Sequence, residues 1–249
     1  MLQQMEMGTL DFGLITNGYL STRAEEFNAW FMPFLFKDLA EASKARETEP
    51  AQQMLKNLES QGLVGFGFTF AGNHHVLMET GAVTKPEDLK GKKVRILGSP
   101  AISDFFESLG AAPSAMPLQE VYTAFQTGVI DGIATDLDAI VTQKFYEVAQ
   151  DLTLTNHMAF PAVAVMSKVV YDKLSPEDQQ IVAEAMHRAL EWSVQDAIQR
   201  EKDNLKFLKE QGLNIVEITD LSAFEAVKEE MYNKYSSNEL IKAFIEANQ

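Results

Sequence analysis

Residues 88–138, DLKGKKVRILGSPAISDFFESLGAAPSAMPLQEVYTAFQTGVIDGIATDLD, set strand and helix signals in an order that few folds accommodate. Asp88-Leu89-Lys90-Gly91 reads as a turn. Residues 93–97 read as a strand, with Val94 and Ile96 on one face and Arg95 on the other. Ser99 and Pro100 form a helix N-cap with proline at the first helical position, and Gly110 ends that helix. Met116-Pro117 opens a second helix, which Thr127-Gly128 closes. Residues 129–135 read as a second strand, and Asp136 caps a third helix. Strand–helix–helix–strand–helix is the rhythm of a parallel α/β sheet.

Arg95 is the residue out of place in this pattern. Strands of a parallel sheet are covered on both faces and are mostly apolar. Arginine is almost never fully buried without a partner. Ligands of open α/β sheets bind beyond the carboxyl ends of the strands, and Arg95 lies towards such an end. A guanidinium there presents a planar fork of donors that matches a carboxylate. The residues alone leave two readings open: an arginine paired locally or solvated, the commoner case, and an arginine that holds an anionic ligand.

The stretch resembles the signature region of the extracytoplasmic solute-binding proteins of TRAP transporters. The pieces that carry the resemblance are DLKGKKVR, the small-residue turn GSPA, LGAAPSAMPLQEVYTAFQTGVIDG, KFYEVAQDLTLTNH at 144–157 and LSPEDQQIV at 174–182. GTLDFG at 8–13 and PFLF at 33–36 extend it upstream, so the ordered set covers nearly the whole chain. The resemblance implies a two-lobed α/β fold of the periplasmic-binding-protein type, with strands crossing between lobes. It implies a small organic acid bound in the cleft, delivery to the membrane subunits of a TRAP transporter, and a periplasmic location. In that family the arginine of the K-x-R strand pairs with the substrate carboxylate; by motif position it is Arg95. The strand after G-T-L-D-F is not the family's first, so the resemblance also implies a strand–helix–strand unit ahead of this sequence.

Composition narrows the partners. The formal net charge is -15, a surface that repels nucleic acid and anionic lipid. The chain has no cysteine, which removes disulfides, thiolate nucleophiles and zinc–sulfur sites. No run is long and apolar enough to cross a bilayer, so direct membrane insertion is not expected. The first residues, MLQQMEMGTLDFG, lack the basic start and apolar stretch of a leader.

In chain order, residues 2–8 read as a helix tail and residues 9–15 as a strand. Thr16-Asn17-Gly18-Tyr19 reads as a loop, and the family's corresponding loop borders the cleft, which makes Thr16 and Tyr19 candidate contacts. The aromatics Phe27, Trp30, Phe31, Phe34 and Phe36 read mostly as core, with Trp30 or Phe31 a candidate for the rim. Residues 37–61 read as helical, broken near Pro50. Residues 63–70 read as a strand ended by Ala71-Gly72, followed by the adjacent His74 and His75. Neighbours in a strand point to opposite faces, so this pair is not read as a metal site. The resemblance implies that one of them faces the ligand, and binding would then change near pH 6.5.

Thr135 stands where many relatives carry an asparagine, and Leu118 where some carry an aromatic, so sialic-acid or simple dicarboxylate specificity does not carry over. Asp136 and Asp138 form a D-x-D pair that fits either a cation or helix capping, and capping is the stronger reading. Residues 144–148 are expected to continue the helix that Asp136 caps. Residues 152–157 and 161–166 read as two strands, with Phe160-Pro161 as a crossing between lobes and Phe160 a pocket candidate. Ser175-Pro176-Glu177-Asp178 starts a long helix to about residue 211, with apolar residues at Ile181, Ala185, Ala189, Trp192, Ala197 and Leu205. In the family this helix spans both lobes. A strand at 213–218 and two helices, residues 221–236 and 238–249, close the chain.

No dinucleotide fingerprint, phosphate loop or nucleophile elbow is present. The expectation is therefore a monomeric binding protein without cofactor or metal, not an enzyme. Lobe I would comprise residues 1–72 and 161–200, and lobe II residues 73–160 and 201–249. The substrate-binding set would be Arg95, His74, His75, Thr135, Thr16, Tyr19 and Phe160. The alternative is a metal-dependent enzyme using Asp136 and Asp138 with a histidine.

Overall fold

The computed structural model describes residues 1–249. Its strands are β1 (Phe12–Thr16), β2 (Leu63–Met78), β3 (Lys93–Ile96), β4 (Ala112–Ala115), β5 (Gly132–Thr135), β6 (Asp151–Ser167) and β7 (Asn214–Glu217). All seven form one sheet in the order β1-β6-β2-β5-β3-β4, with β7 also against β6. The 16-residue β2 and 17-residue β6 are its spine. They pair antiparallel from Leu63↔Ser167 to Met78↔Asp151. One end of the spine carries β1, antiparallel to β6 at 162–166. The other end carries β7 on β6 and β5 on β2. Beyond β5, the pairs β5–β3 and β3–β4 are parallel, the α/β rhythm expected for this stretch.

Several expected breaks are not breaks. Residues 63–70 and the histidine pair belong to one strand, as do 152–157 and 161–166. Ala71-Gly72 and Phe160-Pro161 instead mark a register shift between Phe70 and Gly72 in the spine. The extra residue is Ala71, between the pairs Phe70↔Pro161 and Gly72↔Phe160, and Pro161, which has no N–H, sits beside it in the strand interior. Strand β4 is absent from the sequence reading because its residues, APSA, include a proline and no β-branched or aromatic side chain. Residues 16–19 are not a loop: Asn17–Leu20 is a helical turn. The helix Leu137–Thr142 does not continue through 144–148, since Lys144 adopts φ 57° and breaks it.

The long helix Pro176–Glu210 has 35 residues and lies across β2. Its buried stripe is Leu190, Val194, Ala197 and Leu208, while Ile181 and Trp192 are exposed. Of the apolar positions read from the sequence only Ala197 lies on this stripe; the spacing 190, 194, 197 is the buried helical face. Ser175 caps the helix, its Oγ accepting from Asp178 N at 3.1 Å. Ser175→Ala is expected to lower stability by about 1 kcal/mol, read as a fall in urea midpoint at unchanged m-value.

The aromatic stretch is core, as its density suggested. Phe27, Trp30 and Phe31 are fully buried, with Phe31 packed on Phe160 at 6.4 Å between ring centroids. Trp30 packs on Phe68 and Phe244, with ring centroids 4.7 Å away in each case. A second apolar cluster, including Ile133, Ile140, Phe145 and Leu152, fills the space around β5.

Candidate functional site

Strands β3 and β5 run parallel and stop side by side, at Ile96 and Thr135. Thr135 is register partner of His75 on β2. His74 precedes His75, and across the spine Phe160 pairs with Gly72. Five of the expected residues, Arg95, His74, His75, Thr135 and Phe160, are therefore gathered where the two strand ends meet the middle of the spine. This is the carboxyl-end position that open α/β sheets use for ligands.

Arg95 is 4% exposed. Its Nε and Nη2 donate to the Met116 carbonyl at 3.0 and 2.9 Å. No carboxylate forms an ion pair with it, although Asp136 lies close enough to favour its charge. Burial holds its pKa down to about 10. A buried guanidinium whose only hydrogen-bond partner is one backbone carbonyl is costly to hold in the folded chain.

His74 is buried with its ring stacked on Phe160 at 4.6 Å. Its Nδ1 has no hydrogen-bond partner. Burial, with Arg95 and His75 adding to it, lowers its pKa to about 3. It therefore stays neutral at ordinary pH. His75 faces the long helix. Its Nδ1 accepts from Asn156 N at 3.4 Å, and its Nε2 is 3.9 Å from Glu201 Oε1. Glu201 also accepts from Asn73 N at 3.1 Å. Sequence reasoning missed Glu201, one of many charges on a solvated helix; only packing singles it out.

Thr16 and Tyr19 do not join this group. They open on a cavity of about 320 Å³ lined also by Met1, Leu2, Leu14 and Ile15, and Tyr19 is 52% exposed. The residue next to Thr16 was missed instead: Asn17 is fully buried, and both polar atoms of its side chain lack partners. Gly18 rests on Leu97, such that a Cβ there would lie 2.1 Å from Leu97 Cδ2. Ser21 Oγ donates to Ser99 Oγ at 3.1 Å. Ser99 in turn donates to Asn28 Oδ1 at 3.2 Å, and Asn28 Oδ1 also accepts from Ala101 N. Ser99 thus holds the N-cap position, but Asn28, 73 residues away from Ala101, supplies the capping oxygen. These bonds tie the 17–28 segment to the end of β3.

The metal reading of Asp136 and Asp138 finds no support in the structure. Asp136 Oδ1 accepts from Ala139 N at 2.9 Å as the helix cap. Burial, countered by that backbone bond and reinforced by Asp138, raises the Asp136 pKa. Asp138 Oδ1 pairs with Arg200 at 2.8 Å. No three metal-ligating side chains converge anywhere in the chain.

The model of the bacterial extracellular solute-binding protein family 7 matches residues 1–238. The chain belongs to that family, the solute-binding proteins of TRAP transporters. A family 7 relative, a solute-binding protein of a Sulfitobacter species, is 33% identical over 236 residues, covering 94% of this chain and 67% of the relative. The 2,3-diketo-L-gulonate-binding periplasmic protein of Escherichia coli is 30% identical, covering 90% and 68%. Among solved structures, a TRAP periplasmic solute-binding protein of a Sulfitobacter species with bound β-D-galacturonate superposes with a TM-score of 0.92 at 29% identity, over 99% of this chain and 83% of that one. A Polaromonas protein bound to D-erythronate gives 0.90 at 28% identity, over 98% and 82%. The two-lobed α/β fold with a shared spine is that of these structures.

Proposed function

We propose that this family 7 chain binds a small organic acid between its lobes, with Arg95 pairing the carboxylate, and delivers it to the membrane subunits of a TRAP transporter. The observation that carries the reading is a buried guanidinium at the strand ends with no carboxylate of its own. His74, Thr135 and Phe160 form the surrounding wall, with His75 beside Thr135 and turned to the long helix. Solved relatives that hold galacturonate and erythronate, and a relative named for diketogulonate, support a carboxylate as the ligand. Relatives named as periplasmic proteins support the same compartment for this chain.

Lobe I comprises residues 1–72 and 161–200, and lobe II residues 73–160 and 201–249, with one exception. The helix Glu239–Glu246 returns to lobe I, where Phe244 packs on Trp30 and Phe36. The bulged middle of β2 and β6 is the hinge about which the lobes close on ligand. A monomer is the proposed working unit.

The test is thermal and urea unfolding of the purified chain with a panel of organic acids. An acid at about 100 times its Kd should add roughly 2.7 kcal/mol, and Arg95→Ala should remove the gain. A folded chain that no acid stabilises would count against the proposal.

A further inference from the structure

We propose that Asn17 is a second ligand-binding side chain, which takes a hydroxyl of the bound acid and selects hydroxylated carboxylates over bare ones. This rests on the carboxylate reading of Arg95. Asn17 is fully buried, and neither Oδ1 nor Nδ2 has a hydrogen-bond partner. Buried polar side chains are nearly always paired, and a carboxamide has both donors and acceptors to satisfy. Two orphaned atoms on one buried amide point to a ligand that supplies what the chain does not.

The position of Asn17 makes the bound acid that ligand. It is the first residue of the turn Asn17–Leu20, directly after β1. Its neighbour Gly18 is in contact with Leu97, the first residue past the end of the strand that carries Arg95. Ser21, at the end of the turn, bonds to Ser99. The turn is thus held against the carboxyl end of β3, the strand that carries Arg95, and Gly18 lets it approach because a Cβ would strike Leu97. On the other side Tyr19 faces solvent, so the turn directs Asn17 inward.

The chemistry then chooses between acids. A carboxylate offers only acceptors: it can take a hydrogen from Nδ2 but leaves Oδ1 bare. A hydroxyl donates and accepts, so vicinal hydroxyls satisfy both atoms. His74 Nδ1, a further buried atom without a partner beside Arg95, adds one more place for a hydroxyl. A site with such polar atoms discriminates strongly against analogues that leave them unpaired.

The experiment is calorimetric titration of the full chain with matched pairs: galactarate and adipate, gluconate and hexanoate, D-galacturonate and tetrahydropyran-2-carboxylate. At least one hydroxylated acid should bind tenfold or more tightly than its bare partner, a difference of about 1.4 kcal/mol. Asn17→Ala and the near-isosteric Asn17→Leu should weaken the hydroxylated acid at least tenfold and the bare acid less than threefold. Neither variant removes an internal hydrogen bond, so without ligand both should melt no lower than the parent. Hydroxylated acids unaffected within threefold by both variants, or bare acids weakened equally, would overturn the role of Asn17 while Arg95→Ala still abolishes binding. A parent chain that prefers the bare acids would also overturn it. A parent that binds none of the six would bring down the Arg95 reading as well.

Discussion

Arg95→Ala is expected to weaken binding of the acid about 100- to 1000-fold or more. Truncating one partner of a buried, hydrogen-bonded charge pair costs about 2–5 kcal/mol. Here the partner left behind would be the ligand's own carboxylate, enclosed with no other cation in contact. Arg95→Lys should restore little of the loss. An ammonium has no planar fork, and the Met116 carbonyl would no longer receive the paired Nε and Nη2 donation that aims the guanidinium. Removing the charge should act in the opposite sense on the empty protein. An unpaired buried charge burdens the folded state, which is why burial depresses the Arg95 pKa to about 10. Arg95→Met, which keeps much of the volume, should therefore raise the urea midpoint of the ligand-free chain while abolishing binding. Affinity within threefold of the parent in Arg95→Ala would remove the carboxylate pairing from the account.

Acid should destabilise the protein steeply, starting well above the carboxylate range. His74 has its pKa lowered to about 3, and His157 is held well below its ordinary value by burial, with His74 and His75 adding to the effect. His157 packs against Phe105 at 5.4 Å, its Nδ1 2.6 Å from Thr155 Oγ1 and its Nε2 unpartnered. Both histidines are therefore neutral in the folded chain when they already bind protons in the unfolded chain. The unfolded state holds more protons in the window from about pH 6.5 down towards 3, so stability is greatest above it and is lost as pH falls through it. Each such histidine removes up to about 1.4 kcal/mol per pH unit within that window. Asp136, whose folded pKa is raised by burial, works the other way as it protonates, but it is one group against two. Urea midpoints from pH 7.5 to 4.5 should fall continuously. His157→Phe, which fits a site already made of phenylalanines, should flatten the slope. Midpoints that stay level across that range would show that the buried histidines are not held neutral.

Residues 88–138 were legible because local chemistry and global fold agree there. Ser99-Pro100, Gly110, Asp136 and the Val94/Arg95/Ile96 alternation each act over a few residues, and each is where the sequence places it. Arg95 was legible for a different reason. A charge in an otherwise apolar strand conflicts with its surroundings, and such conflicts gather at functional sites. The aromatic core and the cap of the long helix belong with these, since ring density and Ser-Pro-Glu-Asp are local signals.

What the sequence determined by itself is therefore the family, the α/β character, the helix boundaries set by caps, and Arg95 as the candidate anion-binding group. Tertiary structure alone decided the rest. The merging of 63–78 and of 151–167 into two long strands depends on ladder pairing across about 90 residues of chain separation, which overrides glycine and proline at the bulge. The burial of Asn17 and exposure of Tyr19, two residues apart, depend on which side of one helical turn meets Leu97. The selection of Glu201 from a charged helix and the supply of the Ser99 helix's cap by Asn28 are contacts between distant segments. Hydrogen bonds and burial of that kind are properties of the packed chain, and no local window of residues contains them.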